Sequence, residues 1–256
     1  MRHADWLTPE WAVSGVGALM TTRAGGVSVA PFDSLNLRGA VGDDPVAVAH
    51  NQRIVEEAIG AKPVYLNQVH GRTVVRLTAA DARADAPVHE ADASITTEPG
   101  IACAAQVADC LPVLFAAPGG RAIGAAHAGW RGLARGVLES TLHAVCEAAA
   151  CEPQEVKVWL GACIGPTRFE VGPDVIAAFD AAPESPRFKP HAQGKWLADL
   201  GGLAGDRLRA AGASDVSGGG WCTVSEPSRF FSFRRDRVTG RMAAFIWIDR
   251  YRDRLR

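Results

Sequence analysis

The segment between Ile101 and Ala126 limits the fold more than any other part of the chain. It is strongly apolar, but Asp109 interrupts its most apolar part, Ile101–Ala117. No run therefore approaches the roughly 18 apolar residues of a membrane-spanning helix. The short sequence Pro118-Gly119-Gly120 separates two further strand-like runs and predicts a hairpin turn between them. We expect several consecutive strands here and no membrane segment.

The rest of the chain alternates between strand-like and helical patterns without a regular βαβ repeat, and no GxGxxG or P-loop motif follows a strand. The predicted strands are Val13–Thr21, Val64–Gln68, Val74–Leu77, Ala93–Thr97, Ala102–Val107, Val113–Ala117, Ala122–Ala126, Val156–Leu160 and Met242–Ile248. The predicted helices are Pro45–Ile59, Gly132–Ala150, Pro173–Ala182 and Leu197–Ala211. These patterns predict an α+β fold with layered elements in a single domain, residues 1–256.

Composition excludes several classes of protein. The 256 residues carry a formal net charge of −1, whereas a dedicated nucleic-acid binder normally has a basic excess. Six irregularly spaced cysteines are too few for a disulfide scaffold in a chain of this length. The first residues lack the apolar region of a signal peptide. We therefore expect a cytoplasmic globular protein that binds neither nucleic acid nor membranes.

Three short motifs carry the chemistry, and each lies where an apolar strand gives way to a turn. They are Asn67-Gln68-Val69-His70-Gly71, Ala108-Asp109-Cys110-Leu111-Pro112 and His127-Ala128-Gly129-Trp130-Arg131-Gly132. Two imidazoles and one thiolate would give a zinc ion three protein ligands and leave its fourth position open, as in catalytic zinc sites. The long separations between the three residues do not form a local metal motif.

Two other interpretations of these residues stay open at this point. Cys110 could act as a nucleophile, with His127 or His70 as its base and Asp109 as an orienting group. The same ligands would also accept copper. A four-copper oxidase is poorly supported, because the seven histidines include no His-X-His pair.

Longer stretches resemble a known family. They are Thr21-Thr22-Arg23-Ala24-Gly25-Gly26-Val27-Ser28, Ser34-Leu35-Asn36-Leu37, the three motifs above, Gly161-Ala162-Cys163-Ile164-Gly165-Pro166, and Phe231–Asp236 with Thr239–Met242. Together they resemble the laccase-domain or polyphenol oxidase proteins, which are now described as zinc-dependent purine nucleoside phosphorylases. One departure is Ala162, where the family pattern has proline.

The resemblance implies a layered α/β sandwich with mixed sheets. It also implies phosphorolysis of adenosine, inosine, guanosine and S-methyl-5′-thioadenosine, together with adenosine deamination. The expected partners are therefore purine nucleosides and phosphate. The family's three zinc ligands correspond to His70, Cys110 and His127, which would be the catalytic and metal-binding residues of one Zn²⁺ site.

Further site residues are expected from their chemistry. Arg23 and Arg131 are candidates for holding phosphate, because guanidinium groups match its geometry. Asn36 and Gln68 are candidates for contacts with ribose hydroxyls or purine edges. Asp109 is expected to orient a ligand histidine or to cap the turn around Cys110.

Two other functions compete with phosphorolysis. One is hydrolysis of nucleotide-linked muramyl precursors of the cell wall that carry a wrong amino acid, by a zinc-bound hydroxide or by Cys110 as nucleophile. The other is metal binding without catalysis, which the open fourth position disfavours. The proline-rich loop 182–194 is a candidate flap, and the sequence does not determine whether it closes over a pocket.

Overall fold

The computed structural model describes residues 2–180 and 185–249. Its strands are β1 Val16–Met20, β2 Lys62–Val64, β3 Val74–Arg76, β4 Ala93–Thr96, β5 Ile101–Val107, β6 Leu111–Ala116, β7 Ile123–Ala128, β8 Lys157–Leu160, β9 Glu170–Val171, β10 Phe188–Pro190, β11 Trp196–Ala198, β12 Asp215–Gly218 and β13 Met242–Ile248. Its α-helices are α1 Pro45–Ile59, α2 Trp130–Ala134, α3 Val137–Ala149, α4 Pro173–Ala178, α5 Leu200–Ala210 and α6 Phe233–Asp236.

The strands form three sheets. The largest has the order β12-β8-β6-β7-β4-β3, with antiparallel pairs in its centre and a parallel pair at each edge. A second sheet has the order β1-β13-β5-β2, and a small third sheet has the order β10-β11-β9. The hairpin of β6 and β7 confirms the turn predicted at Pro118–Gly120, which adopts one turn of 3₁₀-helix.

The two larger sheets pack face to face, because successive side chains of a strand point to opposite faces. In β5, Cys103 and Ala105 pack against β6 and β7 of the six-stranded sheet. Their neighbours Ala102 and Ala104 point the other way, into a cluster that includes Val55 of α1. The outer face of the six-stranded sheet is covered by α3 and α5. The layers are therefore helix, sheet, sheet and helix, which confirms the predicted layered α/β sandwich with mixed sheets.

Local sequence signals explain where the main helices begin and end. Asp44 caps α1 by accepting a hydrogen bond from the backbone N–H of Val46 at 3.0 Å, and Pro45 occupies the first turn. One helix predicted over Gly132–Ala150 is instead two, α2 and α3. The break falls at Gly136, whose φ of 90° is incompatible with a continuous helix.

Several short elements differ from the prediction. Strands β9 to β12 were not predicted, and Trp196–Ala198 forms β11, so that the helix predicted from Leu197 begins only at Leu200. The first predicted strand is shorter than expected, and the predicted strand Val64–Gln68 retains only its first residue in β2. The helix predicted from Pro173 ends at Ala178; its predicted end, and the first residues of the candidate flap, lie outside the described residues. Within residues 2–180 and 185–249, no helix is both long enough and apolar enough to cross a membrane.

Candidate metal centre

His70, Cys110 and His127 meet at one end of the six-stranded sheet. His127 lies within β7, Cys110 immediately precedes β6, and His70 lies in the loop between β2 and β3. Because β6 and β7 form an antiparallel hairpin that pairs Leu111 with Ala128, Cys110 and His127 come close despite their separation in sequence. The potential ligand atoms of the three residues all lie within 4.8 Å of one another.

The donor set fits a tetrahedral metal site. The Cys110 Sγ lies 3.8 Å from His70 Nε2, and the two imidazole rings are 4.8 Å apart between centroids at an angle of 78°. Tetrahedral zinc with ordinary Zn–S and Zn–N bonds separates sulfur from nitrogen by about 3.6 Å. The three residues thus stand close to the spacing that zinc requires, with a side open to a pocket.

A buried carboxylate, Asp92, positions both histidines. Its Oδ1 is 2.8 Å from His127 Nδ1 and accepts the backbone N–H of His70 at 2.9 Å. Its Oδ2 accepts the N–H groups of Val69 and Gly71 at 3.2 and 2.6 Å. The carboxylate thereby leaves His127 Nε2 available to the candidate site, as outer carboxylates do in many metal sites. Asp92 is not among the site residues expected from the sequence.

The β-sheet register explains the position of Asp92. It directly precedes β4, and the antiparallel pairing of Ala93 with Ala126 places Asp92 opposite His127. The backbone N–H of His127 donates to the Asp92 carbonyl at 2.7 Å. The sequence shows an aspartate immediately before an apolar strand. It does not show the pairing register of that strand, which is what places the aspartate beside His127.

Asp109 has a different role from the histidine contact considered above. Its two carboxylate oxygens accept the Thr223 hydroxyl and the Arg234 backbone N–H, both at 2.6 Å. It therefore ties the turn before Cys110 to the segment that carries α6, and Asp92 is the carboxylate that orients a histidine. The φ angles of Asp109 and His70 are 90° and 59°, a left-handed conformation that is uncommon for residues other than glycine and concentrates at functional sites.

Electrostatics favour a thiolate beside an imidazolium in the protein alone. Burial by itself raises the pKa of Cys110, but the charge of His127 and hydrogen bonds from His127 and His70 outweigh it and lower that pKa to about 6. Burial by itself lowers the pKa of His127, but Cys110 and Asp92 raise it to about 9. The site therefore presents the thiolate form that metals bind.

Gly129 allows the ligands to approach the backbone closely. A Cβ atom built at this position would lie 2.8 Å from His70 Cδ2 and 2.9 Å from Cys110 Sγ. Such distances are shorter than real side-chain contacts, so any larger residue would displace two of the three ligands.

A chamber of about 390 Å³ opens on one side of the three residues, within the size range of small-molecule sites. We call it chamber one. Besides the three ligands, Gln68, Gln106, Phe233 and two arginines, Arg38 and Arg241, line it. The Gln68 amide pairs with both backbone groups of Gln106, donating at 2.8 Å and accepting at 2.8 Å.

The two arginines of chamber one have no acidic partner among the described residues, although Arg241 Nη1 donates to the carbonyls of Thr239 and Gly240 at 2.9 and 3.0 Å. Within the described part of the chain, neither forms a salt bridge, and burial followed by the charge of Arg38 lowers the pKa of Arg241. Asn36 brings them together, because its side-chain oxygen accepts the backbone N–H of Arg38 at 3.1 Å and that of Arg241 at 2.8 Å. The fully buried Asn36 therefore links these two segments, and its amide does not line chamber one.

A second chamber of about 300 Å³ adjoins chamber one and shares His70, Cys110 and Phe233 with it. We call it chamber two. Its walls are largely aromatic or aliphatic, and three arginines lie around it. The residues are Trp130, Ile164, Phe169, Leu200 and Phe233, with Arg131, Arg234 and Arg237.

The remaining predicted residues divide between the two chambers and other parts of the structure. Gln68 lines chamber one, and Arg131 lines chamber two. Arg23 lies in neither: it donates to the Asp33 and Pro227 carbonyls at 2.8 and 2.9 Å and pairs with the Asp33 carboxylate at 3.0 Å. Arg23 thus holds two loops together. The sequence pattern of an arginine in a glycine-rich turn is the same for this role and for phosphate binding.

Comparisons with known proteins agree with this architecture. A protein of Pseudomonas aeruginosa named purine nucleoside phosphorylase is 49% identical over 247 residues, covering 95% of this chain and 98% of its own. The Escherichia coli protein named purine nucleoside phosphorylase YfiH is 45% identical over 247 residues, covering 94% and 98%. The crystal structure of a Neisseria meningitidis protein of the family DUF152 superposes with a TM-score of 0.89 at 47% identity, covering 96% of this chain and 99% of that one.

The family match covers the candidate site as well as the fold. The model described as multi-copper polyphenol oxidoreductase laccase matches residues 17–249, a range that includes all three sheets and both chambers. This chain belongs to the family of multi-copper polyphenol oxidoreductase laccases, whose members include proteins named purine nucleoside phosphorylase.

Proposed function

We propose that this protein is a zinc-dependent purine nucleoside phosphorylase that also deaminates adenosine. The observation that carries the proposal is the combination, in chamber one, of a Cys-His-His donor set with two arginines that have no acidic partner. Guanidinium groups whose charge no carboxylate neutralises are suited to a multiply charged oxyanion such as phosphate. The names of the relatives support the phosphorylase part of this proposal.

Phosphate binds in chamber one, where Arg38 and Arg241 hold its oxygens. The nucleoside enters from chamber two, where Trp130 and Phe233 offer apolar faces to the purine. In the reaction, a phosphate oxygen forms a bond to ribose C1′ while the C1′–N9 bond breaks and its electron pair leaves with the purine. The arginines hold the nucleophile in line with that bond, which supplies much of the rate increase in such transfers.

His70, Cys110 and His127 would hold the zinc ion between the two chambers. When bound, zinc supplies a Lewis acid that stabilises negative charge on oxygen. Asp92 keeps His127 in the tautomer that can bind. For deamination, water adds to purine C6 and ammonia leaves, which yields inosine from adenosine. Copper is the other metal that these ligands accept.

The reaction is tested by chromatography of products from adenosine, with and without phosphate. Adenine that forms only with phosphate supports phosphorolysis, and inosine in both reactions supports deamination. The variant His127→Ala should keep its fold and lose turnover; full activity in this variant would refute the metal assignment. Adenosine that survives both reactions would refute the nucleoside proposal and favour hydrolysis of muramyl precursors.

Phosphate placement has its own test. Arg38→Ala should raise the KM for phosphate by about 10- to 100-fold, because it removes charged hydrogen bonds to the anion. The matched control is Arg53→Ala, which removes an exposed arginine on α1 outside both chambers. An unchanged KM for phosphate in Arg38→Ala would contradict the placement.

A further inference from the structure

Chamber two contains positive charge that phosphorolysis of an uncharged nucleoside does not use. Arg131, Arg234 and Arg237 all line it, and among the residues that the structure describes Asp109 is the only acidic one on its wall. Both oxygens of that carboxylate already accept short hydrogen bonds, as described above. None of the three arginines forms a salt bridge within residues 2–180 and 185–249. The chamber therefore carries an excess of positive charge beside a cation site.

Each of these arginines rests on an aromatic ring of the same region. The guanidinium carbon of Arg131 lies 4.2 Å from the centroid of Trp130, and that of Arg237 lies 6.0 Å from that of Phe233. Arg234 lies 5.5 Å from Phe169 and donates to the Glu170 carbonyl at 3.0 Å. Cation–π contacts of exposed arginines are weak, so Arg131 and Arg237 remain free to turn towards an anion.

The backbone of Arg237 supports a role in binding. Its φ and ψ of 62° and −58° place it in a conformation that residues with a side chain adopt rarely. This strained residue ends α6 and places its side chain on the wall of chamber two. Backbone strain of this kind concentrates at ligand clamps, where the surrounding structure maintains it.

We propose that Arg131, Arg234 and Arg237 form a second anion subsite, which binds the phosphate group of a purine nucleoside 5′-monophosphate. This inference rests on the proposed function, because it assumes that the nucleoside occupies chamber two. Phosphate in chamber one fixes ribose C1′ near the ligands, and the aromatic walls take the purine. The 5′ carbon is then the position from which a substituent can reach the arginines, whose planar groups bind phosphate oxygens in pairs.

The proposal is tested by equilibrium binding of inosine and of inosine 5′-monophosphate to the zinc-loaded protein, measured by calorimetry in the absence of inorganic phosphate, where neither ligand is phosphorolysed or deaminated. We expect the monophosphate to bind at least about tenfold more tightly than inosine, since charged hydrogen bonds are the stronger kind. In the double variant Arg131→Ala/Arg237→Ala this ratio should fall towards one. Both side chains are exposed, so their removal leaves the core intact.

Two controls separate charge from packing. Arg53→Ala should retain the ratio of the two affinities, because it removes an exposed charge outside the chambers. Arg131→Lys/Arg237→Lys keeps the charge but loses the paired geometry, so it should restore only part of the ratio. A ratio that is near one in the original protein, or unchanged in the alanine double variant, overturns the proposal.

Other results identify the alternatives. If the alanine double variant raises the KM for inorganic phosphate while Arg38→Ala does not, chamber two holds the phosphate co-substrate and the second subsite is refuted. Binding is measured without turnover, so failure of the proposed function is distinguishable. Tight binding of the monophosphate together with no phosphorolysis would refute the reaction and support the subsite.

Discussion

Replacing Asp92 by asparagine tests whether one carboxylate positions both histidines. The change preserves shape but removes one acceptor oxygen. In the structure, Oδ1 serves His70 and His127, while Oδ2 serves Val69 and Gly71. At the Oδ2 position the NH₂ group of the asparagine faces the N–H groups of Val69 and Gly71; at the Oδ1 position it faces the N–H of His70, while His127 can accept through Nδ1 in its other tautomer. In either orientation, at least one part-buried N–H donor therefore loses its acceptor.

The magnitude follows from that count. A buried donor without a partner costs about 1–3 kcal/mol, and these donors are part-buried, so the free energy of unfolding should fall by about 1–3 kcal/mol. Loss of an outer carboxylate also weakens metal binding, and we expect zinc affinity to fall by about 10- to 100-fold. A merely structural role would lower stability and leave the zinc affinity of the folded protein unchanged.

The assays are urea unfolding of the metal-free protein and competition for zinc against a chromophoric chelator. The control is Asp215→Asn, which breaks an exposed pair with Lys157 at 3.0 Å and should change stability by no more than about 1 kcal/mol. Zinc affinity in Asp92→Asn within twofold of the original value would refute the reasoning, even if stability fell.

Three further changes probe other features. Gly129→Ala should abolish metal binding, because its Cβ would lie 2.9 Å from Cys110 Sγ. The control Gly201→Ala should keep metal binding, because the nearest atom to its Cβ is 4.0 Å away; metal content after dialysis is measured for both variants. Gly136→Ala should lower the free energy of unfolding by about 1–2 kcal/mol, because φ there is 90°; an unchanged urea midpoint would contradict this. The hydrogen bond with His89 is the main cause that lowers the pKa of Asp81 in the folded protein. The carboxylate therefore contributes its full stabilisation above its unfolded pKa, near 4, and this stabilisation is lost as the pH falls through the lower folded pKa. Asp81→Asn should reduce the loss of stability between pH 6 and about 3 in urea titrations, and an unaltered pH dependence would count against the shift.

The sequence predicts the central strands because a strand that is buried on both faces is a continuous run of apolar residues. The runs that became β5, β6, β7 and β13 are buried throughout, and their boundaries were nearly correct. The short strands β9 to β12 are not continuous apolar runs, since much of β10 and β12 is exposed. Their pairing depends on neighbours that are distant in the chain.

The candidate site was predictable only where residue type alone indicates chemistry. Histidine and cysteine at strand ends indicated a possible metal site, and the family resemblance supplied the set of three candidate ligands. The sequence does not indicate Arg38 and Arg241 as site residues. Asn36 holds their two segments together, and it lies more than 200 positions from Arg241 in the chain. Arg23 shows the converse error, since an arginine in a glycine-rich turn looks the same whether it binds an anion or carbonyl groups.

The carboxylate that fastens the loop of His70 to the strand of His127 has a consequence for metal selection. Its four bonds are made within the protein, so the ligand geometry is set by folding before any ion arrives. Such a site can exchange one ion for another without unfolding. The choice among metal ions then depends on two factors: the softness of the one sulfur and two nitrogen ligand atoms, and the abundance of each ion. Raw affinity alone does not determine which ion is bound.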